Sequence, residues 1–328
     1  MEKQNDMLLR VKDLRVFYTA GGEIINAVNG VDLEVRRGET LGLVGETGAG
    51  KTTIAKSIMR ILPDPPAKIG GGEIYLDGQE LLRLPEKKMR EIRGKKISMI
   101  FQDPMTALNP VFTVGEQIEE VIMLHEKVNK GEAAVKAQQM LELVGIPGDR
   151  SGDYPHQFSG GMKQRVVIAM ALACSPELIL ADEPTTALDV TIQAQILDMI
   201  KALKEKQNTS MILITHDLGV VAEVCDRVAV VYAGEIIEYG TKEEIFDYPT
   251  HPYTVGLFGS IPKIHEDVEW LDSIPGMPPN PADLPSGCHF HPRCSKCTQP
   301  CGEKAPEMVE IRPGHFVRCL NCTEKKES

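Results

Sequence analysis

The sequence predicts an α/β fold built on a largely parallel sheet. Short apolar runs alternate with stretches of helical periodicity as far as about residue 245. One of those runs, Thr40 to Val44, passes directly into a Gly-rich turn and then a helical stretch. After about Thr250 the pattern stops. Prolines crowd between Pro275 and Pro292 and cysteines follow, which predicts a boundary near His251 and a small second region.

The elements follow in order. Leu9, Val11 and Leu14 through Tyr18 alternate as one strand, and Ile25 through Val35 as another; the polar turn between them indicates an antiparallel edge. Thr52 to Ile61 reads as a helix, ended by Pro63, Pro65 and Pro66. Ile97 to Phe101 is a strand. Val114 to Val144 is helical with a break near Asn129 and Gly131, and Met162 to Ala173 is a further helix. Leu178 to Asp182 is a buried strand, Thr191 to Leu203 a helix, and Met211 to Thr215, Val228 to Tyr232 and Glu235 to Tyr239 are strands.

Composition narrows the function classes. A net charge of −11 disfavours a nucleic-acid partner, because phosphate backbones need a basic face. A membrane-spanning helix needs about 20 mostly apolar residues. The most apolar stretch, Val166 to Ala181, is interrupted by Ser175, Pro176 and Glu177, and the N-terminal residues carry no signal-peptide core. The expectation is a cytoplasmic chain that meets a membrane through a partner.

The segment Gly45-Glu46-Thr47-Gly48-Ala49-Gly50-Lys51-Thr52 fits G-x-x-x-x-G-K-[ST] between a strand and a helix, the context of a phosphate-binding loop. Glycines let backbone N–H groups converge on phosphate oxygens, and the helix N-terminus adds a positive dipole end. Lys51 would reach the β- and γ-phosphates and Thr52 would hold Mg²⁺. A second signal is the apolar strand Leu178 to Ala181 ending in Asp182 and Glu183. Asp182 can orient Mg²⁺ through water, and Glu183 can polarise the attacking water as general base.

These motifs are joined by others in an order and spacing that resemble the ABC ATPase family over about residues 8 to 245. Phe158-Ser159-Gly160-Gly161-Met162 resembles its LSGGQ signature, with Phe158 and Met162 departing from the consensus while Ser159, Gly160 and Gly161 remain. Ala181 through Asp189 resembles the extended Walker B segment and D-loop, Ile100 through Pro104 the Q-loop, and Ile214 through Asp217 the switch-histidine motif. The resemblance implies a P-loop NTPase with a RecA-like core, an antiparallel β subdomain and a helical signature subdomain at about 103–170, the whole ATPase domain spanning 1–250. It implies ATP and Mg²⁺ as cofactors. ATP would contact Tyr18, by stacking on adenine, and the loop residues Gly45 through Thr53. Gln102, Glu183 and His216 would act on the γ-phosphate and its attacking water, and Thr52, Gln102 and Asp182 would serve the metal. Ser159, Gly160 and Gly161 would reach ATP held by a second ATPase subunit, close to the D-loop Asp189. Alone, Tyr18 would read as core and His216 as structural; the surrounding motifs give them these roles.

The tail carries a narrower resemblance. His251-Pro252-Tyr253-Thr254, Gly256-Leu257, Ser260-Ile261-Pro262 and the stretch Ile274 to Pro292 resemble the segment that follows the ABC domain in dipeptide and oligopeptide importer ATPases, which makes 251–328 of this chain a C-terminal domain of that type. That implies a peripheral subunit on the cytoplasmic membrane face, a second and different ATPase chain, two permeases and, indirectly, an external binding protein. Nickel and oligosaccharide importers share this tail, and soluble ABC ATPases of repair or translation are a further alternative. Of eight cysteines, six lie between Cys288 and Cys322, which in a reducing compartment points to metal rather than disulfides. The resemblance implies a [4Fe–4S] cluster on Cys288, Cys294, Cys301 and Cys319. Spacing alone leaves zinc open, through the C-x-x-C pairs Cys294/Cys297 and Cys319/Cys322, and also leaves free structural thiols open.

Overall fold

Alternating buried and exposed side chains draw the first two strands, β1 (Met7–Ala20) and β2 (Glu23–Arg36). A fully buried strand, β3 (Thr40–Val44), leads into α1 (Lys51–Met59), which buries Ile54, Ala55, Ile58 and Met59. Next come β4 (Ala67–Leu76), the short β5 (Gln79–Glu80) and α2 (Glu86–Ile92). β6 (Ile97–Ile100) precedes four helices: α3 (Pro104–Ala107), α4 (Val114–His125), α5 (Lys130–Leu143) and α6 (Gly160–Leu172). The remaining ATPase-like stretch holds β7 (Leu178–Asp182), α7 (Val190–Gln207), β8 (Ser210–Ile214), α8 (Leu218–Val224), β9 (Arg227–Tyr232), β10 (Glu235–Thr241) and α9 (Lys242–Asp247). The tail adds α10 (Pro252–Gly259), α11 (Gln299–Glu303), β11 (Val309–Arg312), β12 (His315–Val317) and α12 (Leu320–Thr323).

The computed structural model describes residues 6–186, 189–259 and 274–323. The sequence-predicted Ser260-Ile261-Pro262 segment and two positions of the D-loop, Ala187 and Leu188, lie outside them. The chain divides into two units: Met1–Leu8, Val35–Glu39 and Arg83–Leu213 form the first, and Leu9–Glu34, Thr40–Leu82 and Ile214–Ser328 the second.

In the first unit, β6 and β7 run parallel, from Ile97 opposite Leu178 to Ile100 opposite Ala181. β8 follows β7 in the strand order. The predicted break near Asn129 is a helix start: Asn129 caps α5 and exchanges hydrogen bonds with Glu132, as Thr113 does with Glu116 at α4.

The second unit has two sheets. β3 pairs parallel with β9, whose neighbours β10, β12 and β11 continue antiparallel. The tail therefore extends a sheet begun by the ATPase-like stretch. An antiparallel sheet in the order β2-β1-β4-β5 forms the other, as the polar turn after β1 predicts. β4 is an addition to the sequence reading. Its Gly70-Gly71-Gly72 run looks like a turn, but β1 bulges at Lys12 to Arg15 where β4 crosses it. Gly72 sits there at φ 101, and a Cβ on it would lie 2.7 Å from the Asp13 carbonyl oxygen and the Leu14 Cα, so only glycine fits.

Candidate functional site

The phosphate loop belongs to the second unit. It leaves the end of β3 and closes on α1, whose first residue is Lys51. Gly50 caps that helix at φ 103, and a Cβ there would stand 2.4 Å from the Ala27 carbonyl oxygen. No other residue could let the loop pass so close to β2. Lys51 is buried, and its Nζ donates to the carbonyl oxygens of Gly45 (2.7 Å) and Glu46 (3.0 Å). The cation is thus folded back across its own loop at the N-terminus of α1, and a helix N-terminus with a cation suits an anion. β1 brings Tyr18 to the same place: its hydroxyl lies 3.4 Å from Thr53 Oγ1. His216 is exposed in the short link between β8 and α8, whose first turn Asp217 caps by accepting from Gly219 and Val220 N–H.

Two tail residues that sequence reasoning did not single out hold this loop. The Glu46 N–H donates to Tyr253 Oη at 2.8 Å. Its carboxylate receives a bidentate pair from Arg293, at 2.8 Å from Nη1 and 3.0 Å from Nη2. Tyr253 was visible only as part of His-Pro-Tyr-Thr, and Arg293 only as a residue between a proline and a cysteine. A cavity of about 200 Å³ opens beside the loop, lined by Glu46, Thr47 and Gly48, by Ala27, and by Pro278 and Pro279 of the tail.

Gln102, Glu183, Asp182 and the signature belong to the first unit. Asp182 ends β7 and is buried. Glu183, the next residue, has φ 48, a left-handed conformation uncommon for a non-glycine and typical of functional turns. Its Oε2 accepts from Gln102 Nε2 and from Thr186 Oγ1, both at 2.8 Å. The structure therefore joins two residues that the sequence motifs name separately. Ser159 caps α6 by accepting from the Met162 N–H, leaving Gly160 exposed at the start of the helix. The consensus departures are accommodated by packing: Phe158 is buried beneath the Arg150 guanidinium, 4.3 Å above its ring, and Met162 Sδ accepts from Arg150 Nη1. Asp189 caps α7, accepting from the Ile192 N–H.

The described tail cysteines lie in one small part of the fold, where the Cys288 N–H donates to the Cys301 carbonyl oxygen at 2.8 Å. Burial pushes the Cys288 thiol up to about 11, and the neighbouring Cys319, Cys301 and Cys294 thiols push it the same way. Burial likewise raises Cys294, with Cys319, Cys297 and Cys301 as neighbours. Cys297 is exposed. The Cys322 thiol hydrogen-bonds to Cys319, lowering the Cys319 pKa, and also reaches the Thr250 carbonyl oxygen at 3.6 Å. Among the described residues, no three His, Cys, Asp or Glu side chains stand close enough to share one metal ion. Neither the four-thiolate cluster on Cys288, Cys294, Cys301 and Cys319 nor the paired C-x-x-C zinc site is therefore shown.

A family profile described as ABC transporter matches residues 28–186, and one described as oligopeptide/dipeptide transporter, C-terminal region, matches 237–301. The chain is similar to a probable peptide ABC transporter ATP-binding protein, y4tR, of Sinorhizobium fredii: 51% identical, over 97% of this chain and 96% of that one. It is 53% identical to the oligopeptide transport ATP-binding protein OppD of Bacillus subtilis, over 95% of this chain and 88% of that one. Among solved structures, the ATP-binding cassette MJ0796, a dimer in a post-hydrolysis state bound to ADP and Pi, superposes with a TM-score of 0.65. That match has 30% identity and covers 72% of this chain and 99% of that one.

Proposed function

The chain belongs to the ATP-binding subunits of the oligopeptide and dipeptide ABC transporters, and on that premise we propose that it hydrolyses ATP to power uptake of short peptides through two membrane permeases. The observation that carries the catalytic part is Glu183. It is a carboxylate at the end of a buried strand, in a left-handed turn, with one oxygen fixed by Gln102 and Thr186. A general base needs this kind of fixed aim. The carboxylate so held is the group that takes a proton from the attacking water.

The remaining roles follow from chemistry. Lys51 exchanges its loop carbonyls for β- and γ-phosphate oxygens, and backbone N–H groups of the loop and of the first turn of α1 take the rest. Tyr18 supplies an aromatic face for adenine, and His216 donates to the γ-phosphate. Thr52, Asp182 and Gln102 offer a hydroxyl, a carboxylate and an amide oxygen, the all-oxygen donor set that suits Mg²⁺. When bound, Mg²⁺ supplies charge neutralisation at the phosphates. Ser159, Gly160 and Gly161, at the start of α6, serve nucleotide on a second ATPase subunit, with Asp189 beside that contact. The dimeric state of the similar cassette supports this arrangement.

Exposed apolar side chains at Met105, Val111 and Phe112, in the segment after Gln102, support a permease contact there, where the Q-loop would feel γ-phosphate occupancy. Among the described residues no helix is long and apolar enough to cross a membrane; attachment at the cytoplasmic face through the permeases fits that. We take 1–250 as the ATPase domain, with its helical part at about 103–170, and 251–328 as the importer-type tail. For the tail we retain the [4Fe–4S] reading on Cys288, Cys294, Cys301 and Cys319. Four thiolates are the usual ligand set of such a cluster, and the bond from the Cys288 N–H to the Cys301 carbonyl oxygen, which brings two of the four together, supports it. The cluster's work would be to fold a region too small to fold alone.

Uptake of a labelled tripeptide by cells carrying or lacking this gene tests the cargo. Loss of uptake on deletion, restored by the parent gene and not by Glu183→Gln, is the expected result. Peptide uptake that survives deletion while nickel or oligosaccharide uptake fails would move the chain to those importers.

A further inference from the structure

The phosphate-loop pattern leaves position 46 open, yet this is the position the tail grips. Arg293 meets the Glu46 carboxylate with two parallel bonds of 2.8 and 3.0 Å, and its side chain is only 6% exposed. Arg293 is itself fixed. Its Nε donates to the Pro275 carbonyl oxygen at 3.0 Å, and Nη1 lies 3.4 Å from Tyr232 Oη. Tyr253, whose hydroxyl accepts from the Glu46 N–H, packs on Tyr232 and Phe290 with ring centroids 4.6 and 5.5 Å away. One side chain of the loop and one backbone N–H of the same residue are thus tied to a rigid aromatic and guanidinium cluster.

The physical consequence concerns the loop more than the tail. A glycine-rich loop left to itself must lose conformational freedom when phosphate arrives. A planar, bidentate pair fixes orientation as well as distance. With Glu46 held at its N–H and at both carboxylate oxygens, the N–H groups that follow it are set in advance, and that ordering cost is not charged to nucleotide binding. The Glu46 N–H itself is committed to Tyr253, so the loop presents its later N–H groups to an anion.

We propose that Arg293 and Tyr253 are positioning residues for ATP: the tail sets the resting shape of the phosphate loop and thereby its affinity for nucleotide. The inference rests on the ATP-binding reading above but not on the transported cargo.

Equilibrium binding of a fluorescent ATP analogue to the full-length chain, purified anaerobically, tests it, alongside thermal melts without nucleotide. Arg293→Met and Tyr253→Phe should each weaken binding about tenfold, the scale of a typical coupling between sites, and Arg293→Lys should recover part of the loss. A clasp that only fastens the tail would lower the melting temperature and leave affinity at the parent value; that result overturns the proposal. If Arg293→Met melts early, Tyr253→Phe, which removes a single oxygen, decides: weaker binding supports the proposal and parent-like binding overturns it. A parent chain that binds no nucleotide would instead overturn the ATP reading itself.

Discussion

The phosphate loop and the tail that holds it make opposite demands on a reader of the sequence. From Gly45 to Thr53 the residues that would do the chemistry are neighbours in the chain, and each has a role fixed by residue type and position. In the tail, His251, Tyr253 and Arg293 are individually unremarkable, and their roles arise only from what they meet across the fold. Tyr253 and Arg293 reach a residue 207 and 247 positions away. The loop's function is written locally and its setting is not, so substitutions in the two regions should fail in different ways. Loop and Walker B changes should remove chemistry from a folded chain. Tail changes should alter stability or affinity while the chemistry remains.

The largest effect belongs to Glu183. Glu183→Gln keeps the shape and one hydrogen-bond acceptor but cannot take a proton, so turnover should fall about a hundred- to ten-thousandfold while ATP still binds. Steady-state hydrolysis and equilibrium binding measured on one preparation separate the two. Parent-like turnover would remove Glu183 as the base, and the contrast between the regions would lose its chemical pole.

Glu238 probes the opposite pole. It is fully buried on β10, and its two oxygens accept from the N–H groups of Thr250 and His251 and pair with His315 Nε2, all at 2.8 Å. One carboxylate therefore ties the start of the tail to its last strand. Glu238→Ala leaves these partners buried without an acceptor, a loss of about 3–5 kcal/mol for a broken buried pair. Urea titration should show a lower midpoint, and limited proteolysis should cut in the tail first. An unchanged midpoint would mean that the tail is held elsewhere.

Much of the fold was legible because apolar runs and caps act over a few residues. β3, β6, β7, β8, β9 and β10 stand where short apolar runs predict them, and the break at Asn129 is a helix cap. β4 was not legible: Gly70-Gly71-Gly72 has the composition of a turn, and only the β1 bulge at Asp13 explains why glycine must sit in a strand. At the site, Gln102 and Glu183 were each readable from their motifs, but their hydrogen bond joins residues 81 positions apart. The grip on Glu46 had no local signal at all, since a glutamate in a variable loop position looks solvated until its partner is seen.

His251 gives a pH-dependent form of the same contrast. Burial lowers its pKa to about 4 against the opposing influence of Glu238, and its Nδ1 accepts from the Tyr253 N–H. In the unfolded chain the imidazole titrates near about 6.5. Above that pH it is neutral in both states and adds no pH dependence. As pH falls from about 6.5 toward 4, the unfolded chain takes up a proton that the folded chain refuses, so stability drops by at most about 1.4 kcal/mol per unit. Melting temperature should therefore decline between about pH 7 and pH 5, and His251→Asn, which keeps an acceptor, should flatten part of that slope. The same slope in parent and variant would assign the effect to other groups.

Tyr18 offers the smallest effect and the finest test, because it is the one residue whose polar and aromatic parts make different predictions. Its hydroxyl is 3.4 Å from Thr53 Oγ1, a long contact at a partly exposed position. If that contact mattered most, Tyr18→Phe would disturb the start of α1 and weaken ATP binding. If the ring serves as a stacking face, Tyr18→Phe should change affinity by less than about twofold, because the aromatic surface is retained. Tyr18→Ala should then weaken it about tenfold, within the 1–3 kcal/mol that stacking of one base contributes. Replacing ATP by inorganic triphosphate sharpens the reading. A stacking residue has no base to hold in triphosphate, so the parent and Tyr18→Ala should bind it equally. Equal loss for ATP and triphosphate would show that Tyr18 supports the loop rather than the base, and would move it from the nucleotide's contacts to the loop's surroundings, beside Tyr253 and Arg293.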